Sequence, residues 1–246
     1  MMLIYKKYLK IIGSVLVFVL LSNSSFADTK EYDQNFFFKL GGSWNFYKMS
    51  QINDYYIDDF AKENDILDDN IKNGPGLFTE FGYFIAPHIS ASLGISYLYS
   101  RIKKEENKMV NTLTISALTP MVKVRYHIFQ EGEKYHYYIG GGMGRCFSKA
   151  IIETYDEYGT FIELGYPILK YKNTGNAWEI NLLGGFEFDI NQNIGLGGEI
   201  GYRFCKSDDL ETNKGEIWQV EAVDPPQKMN LDFSGFKINT FISINL

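Results

Sequence analysis

The chain has 246 residues, of which 45% are hydrophobic and 16% aromatic, and it carries a formal net charge of −6. The acidic balance excludes nucleic acid as a partner, because phosphates are met by basic patches. Two cysteines allow at most one internal disulfide, and the length suits one domain.

The chain opens with Lys6, Lys7 and Lys10, followed by the apolar run Ile11 to Leu21 and by Ser25-Phe26-Ala27. The run is too short to span a bilayer as a helix and the small residues suit a signal peptidase, so residues 1–27 are expected to be a secretory signal peptide cleaved after Ala27. Its removal leaves 21 basic against 30 acidic residues, a net charge of −9. No later segment is apolar enough for a transmembrane helix.

From Asn35 onward the chain falls into eight runs in which every second residue is apolar, the period of a half-buried strand. In the first, Phe36, Phe38, Leu40, Trp44 and Phe46 share one face and Lys39, Gly41, Ser43 and Asn45 the other. The second sets Leu77, Phe81, Tyr83 and Ile85 against Glu80 and Gly82; the third sets Ile89, Leu93, Ile95, Tyr97 and Tyr99 against Ser90, Ser92, Gly94 and Ser96. The fourth alternates Val122, Val124, Tyr126 and Ile128 with Lys123, Arg125 and His127, and Pro120 before it predicts a bulge or the strand's outer end. Tyr135, Tyr137, Ile139 and Met143 oppose His136, Gly140, Gly142 and Gly144 in the fifth. Trp178, Ile180, Leu182, Phe186, Phe188 and Ile190 oppose Glu179, Asn181, Glu187 and Asp189 in the sixth. The seventh places Ile194, Leu196, Ile200, Tyr202 and Phe204 opposite Glu199 and Arg203, and the eighth places Phe236, Ile238, Ile242, Ile244 and Leu246 opposite Lys237, Asn239, Ser243 and Asn245.

Alternation alone does not say which face is inside, and a soluble lipocalin-like barrel, whose short Gly-x-Trp signature Gly42-Ser43-Trp44 matches, is the same pattern turned inside out. Counting separates the two. The apolar faces hold 38 large side chains, whereas an eight-stranded interior takes about a dozen. The apolar face therefore points outward to lipid. The stretches 48–75, 101–111, 147–177 and 207–230 alternate with turns near Pro87-His88, 130–133 and 191–193, the long-outside, short-inside asymmetry of outer-membrane barrels. The expected fold is all-β: one eight-stranded antiparallel transmembrane β-barrel over residues 28–246, with long extracellular loops and short periplasmic turns.

The stretches Tyr138-Ile139-Gly140-Gly141-Gly142-Met143-Gly144, Asn193 to Phe204 and Leu231-Asp232-Phe233-Ser234-Gly235-Phe236 resemble the small outer-membrane β-barrel proteins grouped with the transmembrane domain of OmpA and the opacity-type surface proteins. That family includes adhesins, complement-evasion proteins, structural proteins and a few lipid-modifying enzymes. The resemblance implies insertion by the barrel-insertion machinery, whose usual terminal aromatic is replaced here by Leu246. It also implies a bacterial outer-membrane location, with outer-membrane lipid as surroundings and a monomer as the state.

Strand parity sends Lys39, Lys123, Arg125, Arg203 and Lys237 into the lumen together with Glu80, Glu179, Glu187, Asp189 and Glu199. Five against five predicts a structural, charge-paired network that plugs the barrel, since unpaired interior charge is costly; a small ion or solute channel is the alternative. Cys146 and Cys205 share inward parity at similar height, two strands apart, so a disulfide is conceivable although the strand spacing strains it. His127, His136 and Asp189 gather near the periplasmic mouth, as a metal or pH-sensitive group or as hydrogen-bonded lumen residues, the second being expected. His88-Ile89-Ser90 lies at a periplasmic turn, the wrong leaflet for the His-x-Ser pair of lipid-modifying barrels, and no catalytic constellation accompanies it. No cofactor, metal or enzymatic activity is therefore expected. Loop 48–75, with Tyr55, Tyr56, Asp54, Asp58, Asp59, Glu63, Asp65, Asp68 and Asp69, and loop 207–230, with Asp208, Asp209, Glu211, Glu216, Trp218, Glu221 and Asp224, offer an acidic surface to an extracellular protein ligand, or act only as solvated loops. The functional expectation is envelope structure or adhesin-like interaction.

Overall fold

Alternating side chains on a strand need two different environments, and the chain supplies them by closing a sheet into a ring. The structure, a computed structural model, describes residues 36–54, 57, 70–106, 109–129, 134–156, 169–220 and 227–246. Eight long strands run in chain order: β1 (Phe36–Phe46), β2 (Asn73–Ala86), β3 (Ile89–Glu106), β4 (Met109–Phe129), β5 (Tyr135–Asp156), β6 (Leu169–Asp189), β7 (Ile194–Phe204) and β8 (Gly235–Asn245). Each pairs antiparallel with its sequence neighbour, and β8 pairs with β1 from Phe37 opposite Asn245 to Asn45 opposite Lys237, so the sheet closes with no free edge.

Every one of the 38 large apolar side chains read as outward is exposed or half-buried on the outer face, and the opposite face is buried or half-buried. The eight-stranded antiparallel barrel expected from periodicity is the fold.

Two boundaries differ from the expectation. The connection at 101–111 is mostly strand: β3 and β4 continue as a ladder to Glu106 opposite Met109. The expected alternation fades there because the outward face, beyond the apolar band, carries the polar side chains Arg101, Lys103 and Glu105, while the inward Ile102 packs on the apolar cluster and the backbone pairing persists. Pro120 is neither a bulge nor an outer end. It sits inside β4, opposite Ile95, where the ladder to β5 skips from Leu118–Phe147 to Met121–Gly144 without a change of register, as a residue lacking an N–H requires. The irregularity of pairing falls instead at Phe84/Ala86, beside the turn into β3.

At the loop end the chain turns back into the ring. Met49 has φ +44, and after it one helical turn brings Asn53 N to the Met49 carbonyl at 2.9 Å. The Asn53 amide then clasps the Ile71 backbone twice, at 2.9 Å each way. Above β7 and β8, residues 205–210 and 229–233 continue the wall through Phe233 N to Cys205 O and Leu210 N to Met229 O, both 2.8 Å. The segment 1–27, the turn 130–133, Tyr55, Tyr56, and the acidic residues Asp58 to Asp69, Glu221 and Asp224 lie outside the described residues.

Candidate functional site in the barrel lumen

The inner face builds the site directly from parity. All ten ionisable side chains assigned to the lumen point inward; nine are buried and Asp189, at the turn end, is half-buried. The nine buried ones sort into two charged levels.

Nearer the turn end, Lys39 Nζ donates to Glu187 Oε2 at 2.7 Å, and Ser243 donates to the other Glu187 oxygen. The same ammonium lies over the rings of Phe241 at 4.4 Å, Tyr138 at 4.9 Å and Phe37 at 5.2 Å, a cation–π enclosure that offsets part of its desolvation. Above it Arg125 bridges two carboxylates, Glu80 at 2.6 Å and Glu199 at 2.8 Å, while Lys123 pairs with Glu80. Tyr138 and Asn239 donate to Glu199 at 3.1 and 2.9 Å. Three cations thus face three carboxylates, each with neutral donors filling remaining lone pairs, the condition under which interior charge is tolerated.

The next level is linked through amides. Lys237 Nζ donates to Asn181 Oδ1 at 2.6 Å, Asn181 donates to Glu179 at 2.9 Å, and Thr119 donates to the second Glu179 oxygen at 2.9 Å. Arg203 donates to Asn45 Oδ1 at 2.7 Å. Cys146 and Cys205, both buried, stand as free thiols, with β6 between their strands. Their sulfurs and a Glu179 oxygen lie within 4.8 Å of one another.

Capping this, an apolar cluster fills the loop end of the lumen. Met49, Ile52, Ile57 and Ile71 from the first loop pack with Leu98, Leu113 and Ile115 of the wall and with Leu210, Met229, Leu231 and Phe233 of the last connection. Sequence periodicity did not assign these loop residues to the interior; their signal was a handful of large apolar residues in otherwise acidic stretches.

The histidines stay at the turn end. The His127 and His136 rings are 5.3 Å apart. His127 Nε2 meets Ser90 Oγ at 2.8 Å and His88 Nδ1 meets the His127 carbonyl oxygen at 3.0 Å, so His88 and Ser90 are each engaged with His127. His136 Nε2 lies 3.9 Å from Glu187. Among the described residues His127, His136 and Asp189 do not converge as a ligand group, whereas Cys146, Glu179 and Cys205 do.

Sequence reasoning passed over the inward aromatics Phe37, Phe78, Tyr138 and Phe241. They fit because glycines stand opposite them: a Cβ on Gly82 would come 2.1 Å from the Phe37 ring, and one on Gly41 would meet Phe78 at 2.7 Å and Phe241 at 2.8 Å.

A family model described as outer membrane protein beta-barrel domain matches residues 14–239. The chain belongs to this family. Among solved structures, this outer-membrane barrel is similar to neisserial surface protein A, with 10% identity, coverage of 86% of this chain and 97% of that one, and a TM-score of 0.49. For OprG of Pseudomonas aeruginosa the values are 12%, 87%, 96% and 0.48, and for Ail, the attachment invasion locus protein of Yersinia pestis, 12%, 86%, 97% and 0.42. Comparison with curated proteins gives no match. Membership places the apolar band in the outer membrane, the short turns on the periplasmic side and the long connections outside.

Proposed function

We propose that the protein is exported through a signal peptide, residues 1–27, that is then cleaved, inserted by the barrel-insertion machinery as a monomer, and works at the cell surface in envelope structure or in binding an extracellular protein through its acidic loops. The observation that carries this reading is the double closure of the lumen: the Arg125–Glu80–Glu199 network across the membrane and, above it, the apolar plug around Ile52, Ile115 and Phe233. A barrel filled in both ways gives solutes little passage, which leaves the outer surface and the loops to meet partners. A catalytic role has little support, because the Ser90–His127 pair is sealed within the lumen wall and lacks access to lipid.

Envelope fractionation with protease shaving of intact cells tests the location; the expected result is a heat-modifiable outer-membrane protein clipped only in its long connections. Recovery as a soluble periplasmic protein would overturn it. A small channel is the second reading, favoured by the polar lining from Lys39 to Arg203. Planar-bilayer recording of the parent and of Glu199→Ala separates the two: the closed reading expects no stable open level in the parent, and a steady open conductance would sink it.

A further inference from the structure

The two thiols stand where the charged network gives way to the apolar plug, and two features of that place point to a ligand. The first is distance. Cys146 on β5 and Cys205, the residue after β7, flank β6, whose Glu179 lies between them. Backbones two strands apart are separated by about 9 Å, beyond the roughly 6.8 Å a disulfide spans. Yet both sulfurs and a Glu179 oxygen fall within 4.8 Å of one another. Two metal–sulfur bonds of about 2.3 Å placed in line cover about 4.6 Å. One ion can therefore touch both sulfurs.

The second feature is charge. Below, Lys39, Lys123 and Arg125 are matched by Glu80, Glu187 and Glu199. At the level of the thiols, Arg203 and Lys237 both direct their charge at amide oxygens, of Asn45 and Asn181, and Glu179 is the carboxylate among them. With the thiols neutral and Lys237 protonated, this level holds one more cation than carboxylates. Binding one monovalent cation to two thiolates releases two protons and removes that excess; a divalent ion would leave it in place. Soft sulfur ligands select ions of this kind, and the bonds from Thr119 and Asn181 that fix the Glu179 carboxylate supply an oriented outer partner.

We propose that Cys146, Cys205 and Glu179 form a buried site for one monovalent thiophilic cation with the chemistry of copper(I) or silver(I), held by the two thiolates with Glu179 as a weaker oxygen partner. Binding involves no change of oxidation state; the two thiol protons leave to solvent.

The test uses the full chain refolded in detergent under argon, with copper(I) supplied from a coloured chelator during refolding, because the site is closed above and below. Folding is followed independently by heat-modifiable migration. The expected result is withdrawal of one equivalent of copper, near-ultraviolet thiolate-to-copper absorption, and two sulfur neighbours at about 2.3 Å by X-ray absorption. Cys146→Ser/Cys205→Ser should fold and bind at least ~100-fold more weakly, and Glu179→Gln about 10-fold more weakly. Should the double variant fail to migrate as folded, alkylation of the parent decides: silver should protect both cysteines from a thiol reagent during refolding. Folded parent with no copper uptake, uptake unchanged in the serine variant, or preference for zinc(II) over copper(I) would each overturn the proposal. So would a Cys146–Cys205 bridge in protein isolated from the outer membrane.

Discussion

The lumen has two halves that solve the same problem by different means. Below, closure rests on charge: Arg125 joins Glu80 and Glu199, and Lys39 is held by Glu187 under three aromatic rings. Above, it rests on area: loop residues such as Ile52 and Leu231 fall onto Leu113 and Ile115. The lower half is built wholly from strands, whose parity is fixed by ring closure, so a charge placed there has a partner at a set height. The upper half draws on chain that leaves the wall and returns, and such chain is held by burial and by the Asn53–Ile71 clasp. Loss of a lower partner should therefore be felt by the whole barrel, and loss of an upper one by the loops first.

The comparison breaks most sharply at Arg125. Arg125→Met leaves Glu199 without a bridging cation and Glu80 with Lys123 alone, and is expected to cost about 3–5 kcal/mol, read as a lower urea midpoint in lipid vesicles and loss of heat-modifiable migration. Leu231→Ala, in the plug, is expected to cost about 2–4 kcal/mol but to keep that migration, its mark being faster proteolysis of the outer connections. If both variants lost the barrel together, the two halves would be one cooperative unit and the contrast would fail.

Gly82→Val forces a side chain into the Phe37 ring and should destabilise by about 1–3 kcal/mol; adding Phe37→Ala in the same chain should recover part of the loss. Asn53→Ala removes the clasp at a cost of about 1–2 kcal/mol, visible as exchange of the Ile71 amide. The smallest effect lies above the membrane, where Lys170 meets Glu153 at 2.7 Å. Partial burial acts to raise the Glu153 carboxyl, but hydrogen bonds from Lys170 and Tyr155 together with the charges of Lys170 and Arg101 outweigh it, so the group sits below its ordinary value of 4.5. A depressed carboxyl stabilises above its unfolded pKa and loses that contribution as pH falls through its folded one. Glu153→Gln should therefore cost under about 1 kcal/mol at pH 7 and nothing in acid, measured by thermal melts at the two pH values.

The lower half was legible in the sequence because a period of two settles the side of every strand residue once one is placed. Lys39, Arg125 and Glu199 could be sent inward without knowing their neighbours. The neutral partners of the lumen charges, Asn181, Asn239 and Ser243, follow from the same parity, but which of them touches which depends on register, set by ring closure. The upper half was not legible. Met49 and Ile52 belong to no periodic run, and their burial follows from a wall that exists only after distant strands have paired. The outer reach of β3 and β4 was missed for a related reason: above the band the outward face turns polar, so the expected pattern is lost while the hydrogen bonds continue.

The fit of Gly82 to the Phe37 ring, on adjacent strands β1 and β2 and one register row, makes the unit of inheritance here a pair of positions. Either residue alone has little room to vary, since a larger partner collides and a smaller ring leaves a void. Across descendants of this chain, residue size at position 82 should rise only where size at position 37 falls, their combined volume staying constant while the identities drift.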